Sequence, residues 1–597
     1  MFRVALLIAS ATFLLTSRPT AAETPAVTQW VSPDAWIVAE ISRPDVLVDR
    51  AFRDDVVQAV TSLSAYQDAM ADPDAQQAIF LLNYFKGRFE CDFATLLKKA
   101  AGGNITLALG PNDSNLLVVE GEDAKLINEI HEFFLSHARD DAKALGQGDP
   151  VKSAIYQGVT GWSLAPNEMH AIIDNRLLVS NKPEVLKAAI DRRANSSLPC
   201  FADSESYKKA KAAASVDAVA TVYANMEVLK QVPDLKRALS ENENPLATLL
   251  LAPLQRSLRE ASWLIITAEV NGDAIQLEMT TDGSVGYPAA VDGFALPQQA
   301  DDGAMPNFVV PGQIAGISLY RDLYRYYAAK DELFPERTSG IIFFENMMGI
   351  FFTGRDLTEE VLAETQPQLC VVVAEQRYAE NVGTPLLQLP GFAVVLKMRD
   401  RDRFAPIIEE AWQKAIGLVN FTRGQQAEPG LIIDKPQHAD VIYTTAAFSV
   451  FGDHDRSNVD SRFNFQPTLA MPGDYLILSS SDSLTQDLID QIAERSDMKP
   501  VPSSHSLVVL SGPQLAAILN ANFDAMVRNN MVEDGNTREQ AEQQQKVLIA
   551  ILQHLRNVSI DASTKEGKSH AVLKIEFALD SEPMTPHTSE RSQQGDQ

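Results

Sequence analysis

Two histidines six residues apart are the first candidates for chemistry in this chain. His131 and His137 bound the segment His131-Glu132-Phe133-Phe134-Leu135-Ser136-His137, which superficially resembles a zinc-protease sequence. That sequence needs histidines four residues apart, so that both imidazoles lie on one face of a helix. At about 100° per residue, a separation of six leaves the two side chains about 120° apart. We therefore predict no shared zinc ion and expect both histidines on the polar face of a surface helix.

A serine and a lysine could form a second reactive pair. Ser206 and Lys209 fit S-x-x-K, in which a lysine activates a serine one helical turn away, and Ser240-Glu241-Asn242 fits S-x-N. The K-[ST]-G sequence that completes this set is missing, so the lysines of 207–211 are predicted to form a solvated helix face. G-x-S-x-G and G-x-x-x-x-G-K-[ST] are also missing, and Gly146-Gln147-Gly148 lacks the third glycine of a dinucleotide fingerprint. We predict no catalytic, cofactor-binding or metal-binding residues and no cofactor.

One acidic loop could wrap a hard cation. Residues 452–460, Gly-Asp-His-Asp-Arg-Ser-Asn-Val-Asp, place carboxylates at alternate positions, as calcium loops do. Asn458 stands where such a loop needs glycine, Asn464 replaces the bidentate glutamate, and Arg456 adds repulsion. The favoured interpretation is a solvated insertion loop.

The charge balance excludes some classes of partner. The chain has 597 residues, with 51 Lys and Arg against 79 Asp and Glu, and a formal net charge of -28. Phosphate backbones and anionic membrane surfaces repel such a protein, so nucleic-acid binding is not expected. The partner is left as an unknown protein or small molecule.

The N-terminus predicts export. Arg3 precedes a short apolar core, Val4 to Leu15, and Thr20-Ala21-Ala22 offers a cleavage site. This is the pattern of a signal peptide, and the apolar core is shorter than the roughly 20 residues of a membrane span. We expect residues 1–22 to be a signal peptide, no membrane span after cleavage, and a secreted or periplasmic protein.

Three cysteines do not encode a disulfide framework. Cys91, Cys200 and Cys370 are far apart in the chain. One bridge between Cys91 and Cys200 is left open. Cys370 lies among apolar residues and is expected to be a small buried hydrophobe.

The most informative feature is a long-period internal similarity. Segments of the first half recur in the second half in the same order and with similar chemistry, as in Ile79-Phe80-Leu81 and Ile342-Phe343-Phe344. The matched segments are 33–41 with 311–319, 79–85 with 342–348, 104–109 with 369–374, 174–181 with 473–480, and the two closing hairpins, 263–280 with the strand pair around 565–568. The alternative is a coincidental order of common elements.

Local patterns define elements within each half. Apolar residues at helical spacing predict one helix after residue 181 and another after residue 480. Their apolar residues are Val185, Leu186, Ala189 and Ile190, and Leu484, Leu488, Ile489 and Ile492. Asn181 and Glu184 are spaced as a capping box. Residues 339–354 are strongly apolar, and a buried core helix is preferred over a membrane-seeking segment.

These patterns predict an α+β fold of two tandem, structurally similar domains with antiparallel sheets covered by helices. The expected organisation is a signal peptide at 1–22, the first domain at 33–285, a linker at 286–307, the second domain at 308–580, and a disordered tail at 581–597.

The chain also resembles a family of large secreted bacterial proteins of unknown function. The resemblance rests on Pro33-Asp34-Ala35, on the stretch 174–191 with Pro183-Glu184-Val185-Leu186, on Ser197-Leu198 and on Tyr207-Lys208-Lys209-Ala210. It covers mainly the first half. It implies an extracytoplasmic setting and no established activity.

The function predicted from sequence is therefore that of an extracytoplasmic binding or envelope-associated structural protein rather than an enzyme. The alternative is an extracytoplasmic hydrolase whose catalytic carboxylates have no short sequence signature.

Overall fold

The computed structural model describes residues 26–62, 64–240, 244–284, 293–297, 299, 301–334, 339–450, 455–495 and 498–578. The predicted signal peptide at 1–22 and the predicted tail at 581–597 lie outside these residues. Contacts divide the chain into two compact units, one of residues up to 240 with 257–283, the other of 241–256 with the residues from 284 onward.

The described residues of the first unit form ten antiparallel strands. They are β1 Ile37–Ile41, β2 Asn104–Gly110, β3 Ser114–Glu120, β4 Lys152–Tyr156, β5 Val159–Ala165, β6 Glu168–Ile173, β7 Arg176–Ser180, β8 Ala220–Asn225, β9 Trp263–Asn271 and β10 Ala274–Ser284. They pair in the order β4-β5-β6-β7-β3-β2-β1-β8-β9-β10.

The helices of the first unit lie mainly between β1 and β2, between β3 and β4, and around β8. They are α1 Pro44–Ala51, α2 Asp54–Ser62, α3 Ser64–Ala71, α4 Pro73–Phe89, α5 Phe93–Ala101, α6 Ala124–Ala144, α7 Pro183–Ala194, α8 Glu205–Ala213, α9 Met226–Leu229 and α10 Pro233–Ser240. The next helix, α11 Pro245–Glu260, has residues 245–256 in the second unit.

Twelve strands lie in the described part of the second unit. They are β11 Gln313–Tyr320, β12 Thr365–Ala374, β13 Gly391–Met398, β14 Leu431–Asp434, β15 Gln437–His438, β16 Val441–Ile442, β17 Thr444–Phe448, β18 Thr468–Ala470, β19 Tyr475–Ser479, β20 Ser504–Leu510, β21 Leu555–Lys565 and β22 Lys568–Phe577. Apart from the small β15–β16 hairpin, they pair in the order β14-β17-β18-β19-β13-β12-β11-β20-β21-β22, again antiparallel.

The helices of the second unit occupy corresponding places in the chain. Besides residues 245–256, they are α12 Leu323–Ala328, α13 Lys330–Leu333, α14 Ser339–Phe351, α15 Arg401–Gln425, α16 Asp482–Glu494, α17 Gly512–Ala521, α18 Phe523–Glu533 and α19 Arg538–His554. When the strands are matched in chain order from β1 with β11 to β10 with β22, the small hairpin set aside, the two strand orders coincide.

One face of each sheet is buried under a helix. In the first unit Leu186, Ala189 and Ile190 of α7 pack on strand residues such as Val118 and Leu178. In the second unit Leu484, Leu488, Ile489 and Ile492 of α16 pack on strand residues of β12, β13 and β19. The predicted apolar helix faces are therefore confirmed, as is the α+β class.

The closing hairpins also form as predicted. Asn271 pairs with Ala274 across the first turn, and Lys565 pairs with Lys568 across the second. Glu566 and Gly567 have φ values of 51° and 76°. Positive φ at both central residues is the requirement of a type I′ turn, which matches the twist of the strands.

Two local predictions were wrong. Asn181 does not cap α7, since Lys182 precedes the helix without a side-chain cap. The Asn181 amide instead accepts from the Asn115 backbone N–H at 3.0 Å and donates to the Asp113 carbonyl at 2.6 Å. Short polar side chains bond to nearby backbone groups, and here Asn181 bonds to the backbone around the turn between β2 and β3 instead of to the first turn of α7.

The second error concerns α14, which is not a buried core helix. Ile341 is buried, whereas Phe343 is 67% exposed and Ile342 is 45% exposed. Apolar residues occur on every side of this helix, so the sequence pattern did not identify which side faces the protein.

The described part of the predicted linker is packed in the second unit. Phe294, Ala295, Ala304 and Met305 are each no more than 1% exposed. Phe294 and Ala295 contact Ala252 of α11, so this segment and that helix share one apolar cluster.

Arg321, which directly follows β11, connects α11 to β20 within the second unit. Its side chain is fully buried and donates to the carbonyls of Leu249 at 2.5 Å, Leu250 at 2.8 Å and His505 at 2.9 Å. It also donates to the Ser506 hydroxyl at 3.0 Å. Burial lowers the pKa of Arg321 to about 9, which reflects the cost of enclosing its charge. Carbonyl acceptors compensate that cost.

Replacing Arg321 is expected to destabilise the second unit severely. Arg321→Met keeps the volume but leaves buried carbonyls without donors, which should cost at least about 3 kcal/mol of unfolding free energy. Arg538→Met removes only an exposed pair with Glu542 at 2.7 Å and should leave the melting temperature close to that of the wild type. Scanning calorimetry of both variants measures the difference, and equal melting temperatures would contradict it.

Candidate functional site

Two clefts border α7 in the first unit. The larger has a volume of about 360 Å³ and the smaller about 190 Å³. Residues of α7 line both, so the helix separates them. The smaller cleft is mainly apolar and includes Tyr156, Trp162 and Met169.

The floor of the larger cleft is apolar. It contains Trp30, Ala35, Ala108 and Leu116. The guanidinium of Arg176 lies 4.5 Å from the Trp30 ring centroid. Arg176 also pairs with Glu120 at 2.8 Å, so the tryptophan rests against a buried, neutralised cation.

Two cations line the same cleft. Lys182 donates from its Nζ to the Asn112 carbonyl, and Arg192 donates to the carbonyls of Pro199 at 2.9 Å and Ala188 at 3.2 Å. Partial burial lowers the pKa of Arg192. Among the residues that the structure describes, neither cation forms an ion pair with a carboxylate within 4.0 Å, although Glu184 lines the cleft and the charges of Asp34 and Asp191 act on Arg192.

Local backbone geometry places Lys182. Asn112 and Asp113 have φ values of 55° and 58°, which turn the chain sharply between β2 and β3. The turn brings the Asn112 carbonyl to the start of α7, where Lys182 precedes Pro183. Asparagine and aspartate tolerate this left-handed conformation better than most residues.

The smaller cleft has a different rim. Lys187 lies 5.6 Å from the Tyr156 ring centroid, and the Tyr156 hydroxyl donates to Asp191 at 2.9 Å. This hydrogen bond to a carboxylate raises the pKa of the Tyr156 hydroxyl. Lys152 and Lys187 line this cleft, and Lys187 therefore lies on the other side of α7 from Arg192.

A buried chain of ionisable groups lies elsewhere in the first unit. The Nε2 atoms of His131, on α6, and His170, on β6, are 3.0 Å apart. His170 Nδ1 contacts the Glu168 carboxylate, whose other oxygen accepts from the Leu164 backbone N–H at 2.9 Å. All three side chains are at most 9% exposed. The chain links α6 to the sheet.

Burial determines the protonation of His131. Desolvation, and to a lesser extent the charge of His170, lowers the pKa of His131 to about 4, while Glu168 opposes this shift. The Trp162 ring lies 4.5 Å from the His131 ring and contributes apolar surface. His131 is therefore neutral at pH 7 and fits as the acceptor or donor of one hydrogen bond.

The contacts of Glu168, His170 and His131 were not predicted from the sequence. His131 was expected on a polar helix face, which is wrong, whereas His137 is partly exposed and lies 3.6 Å from Asp141. Glu168 and His170 alternate in β6 and so share one face of the sheet, which is a detectable signal. Nothing in the sequence indicates that α6 packs on that face.

The other sequence candidates do not converge on a reactive site. Lys208 and Lys209 are exposed, and Lys208 pairs with Glu205 at 3.2 Å. In the acidic loop, residues 452–454 lie outside the described part, and Asp455 accepts from the Ser457 backbone N–H at 2.8 Å. Within the described residues, no group of three His, Cys, Asp or Glu is placed to hold a metal ion.

The cysteines are all free. Cys200 donates to Asp203 at 3.1 Å, and Cys91 packs beside Phe85 in another cluster, so the bridge left open by the sequence is not formed. Burial raises the pKa of the Cys370 thiol to about 11, in agreement with the predicted buried hydrophobe.

Comparison with known proteins identifies a family without a known activity. Residues 55–302 match the model of a family described as "Protein of unknown function (DUF3352)", which confirms the resemblance predicted from the sequence. Among curated proteins nothing matches.

Solved structures give a distant similarity. Crystal forms III and I of TP0453 have 9% sequence identity and a TM-score of 0.23 with this chain. They cover 44% and 45% of this chain and 81% of their own. A TM-score of this size does not establish a shared fold.

The buried histidine predicts a pH-dependent stability. The pKa of His131 is about 4 in the folded chain against 6.5 in the unfolded chain, so only the unfolded chain binds this proton between those values. Stability should fall as the pH falls from 6.5 to 4, by at most about 3 kcal/mol from this group. Tryptophan fluorescence during urea unfolding measures it, since Trp30, Trp36, Trp162 and Trp263 lie in the first unit.

Two variants isolate the contribution of His131. His131→Gln should flatten the pH dependence, because glutamine can bond to His170 but does not titrate. His137→Gln, on the exposed side of the same helix, should leave the wild-type dependence largely unchanged. If the free energy of unfolding changed equally with pH in wild type and His131→Gln, His131 would not be the source of the pH dependence.

Proposed function

We propose that this chain is an exported binding protein built from two copies of one α+β unit, and that the larger cleft of the first unit binds a small amphiphilic anion. The observation that carries the proposal is the pairing of Lys182 and Arg192, without carboxylate partners among the described residues, with an apolar floor.

The coincident strand orders support the two-copy interpretation. Ten strands follow one another through the same non-sequential pairing in both units, with β3 beside β7 and β13 beside β19. The matched sequence segments fall on matched elements, since 104–109 is β2 and 369–374 is the end of β12. Ten antiparallel strands can pair in many different orders, so the same order in both units favours two copies of one unit over coincidence.

The chemistry of the cleft supports an anionic ligand with an apolar part. A volume of about 360 Å³ lies within the usual range of small-molecule sites. Trp30 and Leu116 supply apolar contact, and the ammonium and guanidinium groups can each donate to a carboxylate or phosphate. These cations stand out in a chain with a net charge of -28.

The extracytoplasmic location rests on the sequence of residues 1–22. The described residues contain no helix long and apolar enough to cross a membrane. We therefore place the binding site in a secreted or periplasmic protein, where small amphiphiles are met outside the cytoplasm.

The hydrolase alternative has less support. A glycoside hydrolase needs two carboxyl groups on opposite sides of the scissile bond. Glu184 is the carboxylate among the residues that line the larger cleft, and the lining of the smaller cleft has none. No observation in the described part of the chain favours catalysis over binding.

Straight-chain carboxylates test the proposal. Hexanoate, octanoate and decanoate should bind at least about tenfold more tightly than the primary alcohols of equal length, because even one charge-assisted hydrogen bond contributes about 1.5 kcal/mol. Titration calorimetry measures both series. Longer chains should bind more tightly until the apolar floor is filled.

Variants on the two sides of α7 provide the control. Lys182→Met and Arg192→Met should remove most of the preference for carboxylate over alcohol. Lys187→Met changes the same charge on the same helix but beside the smaller cleft, so it should leave the preference intact. Equal affinity for carboxylates and alcohols in the wild-type protein would disprove the proposal.

A further inference from the structure

Two phenylalanines at matched positions of the two units are exposed to solvent. Phe80 on α4 is 70% exposed, and Phe343 on α14 is 67% exposed. The sequence similarity aligns these residues, because Ile79-Phe80-Leu81 corresponds to Ile342-Phe343-Phe344. Both helices lie in the connection between the first two strands of their unit. An exposed aromatic side chain costs solubility, so its presence in both units points to a shared use.

The exposed surface of α14 is almost free of charge. Ile342, Phe344 and Ile350 are 45%, 39% and 48% exposed, in addition to Phe343. The one charged residue of the helix, Glu345, accepts a hydrogen bond from the Tyr327 hydroxyl at 3.2 Å and so points toward the protein. The outer side therefore presents several large apolar side chains, with the uncharged Asn346 exposed among them.

In α4 the exposed aromatic residues are Phe80 and Tyr84, and the helix rests on an aromatic cluster. Phe85 is buried, with its ring 4.9 Å from Phe133 of α6, and Tyr84 stacks on Phe133 at 5.0 Å. These contacts hold the helix against the first unit. Phe80, more than one turn earlier, remains outside the cluster. Phe80 is therefore exposed although α4 itself packs well against the first unit.

The net charge of the protein disfavours some of the partners that could cover α4 and α14. A second copy of this chain would bring another net charge of -28 to the interface, and long-range repulsion opposes such pairing. Anionic lipid is disfavoured by the same net charge, and α14 has no lysine or arginine to attract it. In α4 the basic residues are Lys86 and Arg88, in the last turn away from Phe80, and Arg88 pairs with Glu129 at 3.4 Å. A zwitterionic lipid surface carries no net charge and accepts apolar side chains.

We propose that α4 and α14 each anchor the protein to a zwitterionic lipid surface through Phe80, Phe343 and the apolar residues beside them. A helix satisfies its own backbone hydrogen bonds, so its apolar side can enter the boundary between headgroups and acyl chains. With 13 residues, α14 is too short to span a bilayer. The contact is therefore interfacial and reversible.

Vesicle binding of the full chain tests this inference. Wild-type protein should co-sediment with phosphatidylcholine vesicles. Phe343→Gln and Phe80→Gln should each weaken binding by about tenfold, since each removes an aromatic side chain that the lipid would cover. The double variant should bind more weakly than either. All proteins carry the same residues 1–22, so any contribution of that segment cancels in the comparison.

Matched controls replace equally exposed apolar residues elsewhere. Val532, 83% exposed at the end of α18, and Leu145, 73% exposed after α6, lie in the second and first units. Val532→Gln and Leu145→Gln should bind vesicles as the wild type does. Circular dichroism checks that every variant is folded, which is expected because the replaced side chains are largely in solvent.

Three results would overturn the inference. The wild-type protein could fail to bind phosphatidylcholine vesicles. The Phe343→Gln and Phe80→Gln variants could bind as tightly as the controls. Sedimentation velocity could instead reveal a concentration-dependent dimer that Phe343→Gln dissociates, without vesicle binding, which would assign the surface to a second copy. Because hexanoate binding at the cleft is measured without vesicles, either proposal can fail alone.

Discussion

Burial of an apolar sheet face beneath a few helices is the constraint on which each unit depends. In the first unit α7 covers part of the sheet and Tyr207 and Ala210 of α8 join the same core, and in the second unit α16 covers part of the sheet. An α-helix with its side chains is about 10 Å wide, whereas ten strands spaced about 4.8 Å apart extend over more than 40 Å. Such helices cannot cover the whole sheet, so depressions remain beside them. The two clefts that border α7 are the direct result.

Buried polar groups give the units their specific connections. Arg321 is enclosed, and backbone carbonyls from α11 and β20 compensate its charge. The Glu168–His170–His131 chain similarly links β6 to α6. Such groups are costly to bury, and their geometry is satisfied in one arrangement only. They therefore select which segments pack together, and in the case of Arg321 they include residues 245–256 in the second unit.

The two proposed surfaces use opposite chemistry. The cleft combines an apolar floor with two cations inside an acidic protein, which suits a small anion. The outer surface of α14 has almost no charge and suits a neutral lipid surface. Both would operate outside the cytoplasm if residues 1–22 direct export. A protein that holds an amphiphile while resting on lipid would combine these properties, and each can be examined separately.

The sequence by itself determined many of the local elements. Alternation in 274–280 and 568–577 and the spacing of Leu484, Leu488 and Ile492 correctly predicted strands and a helix with its buried side. These predictions succeed because period and turn residues are properties of neighbouring positions. The capping role of Asn181 and the burial of α14 were wrong, since each depends on what lies across space.

Only the tertiary structure decided which distant residues meet. Lys182 and Arg192 are ten positions apart and face one cleft with Trp30, which precedes them by about 150 positions. His131 and His170 come from a helix and a strand whose packing no local pattern encodes. Contacts of this kind follow from the order in which strands pair and from the helix that covers them. That order is set by the free energy of the whole core, which no short segment contains.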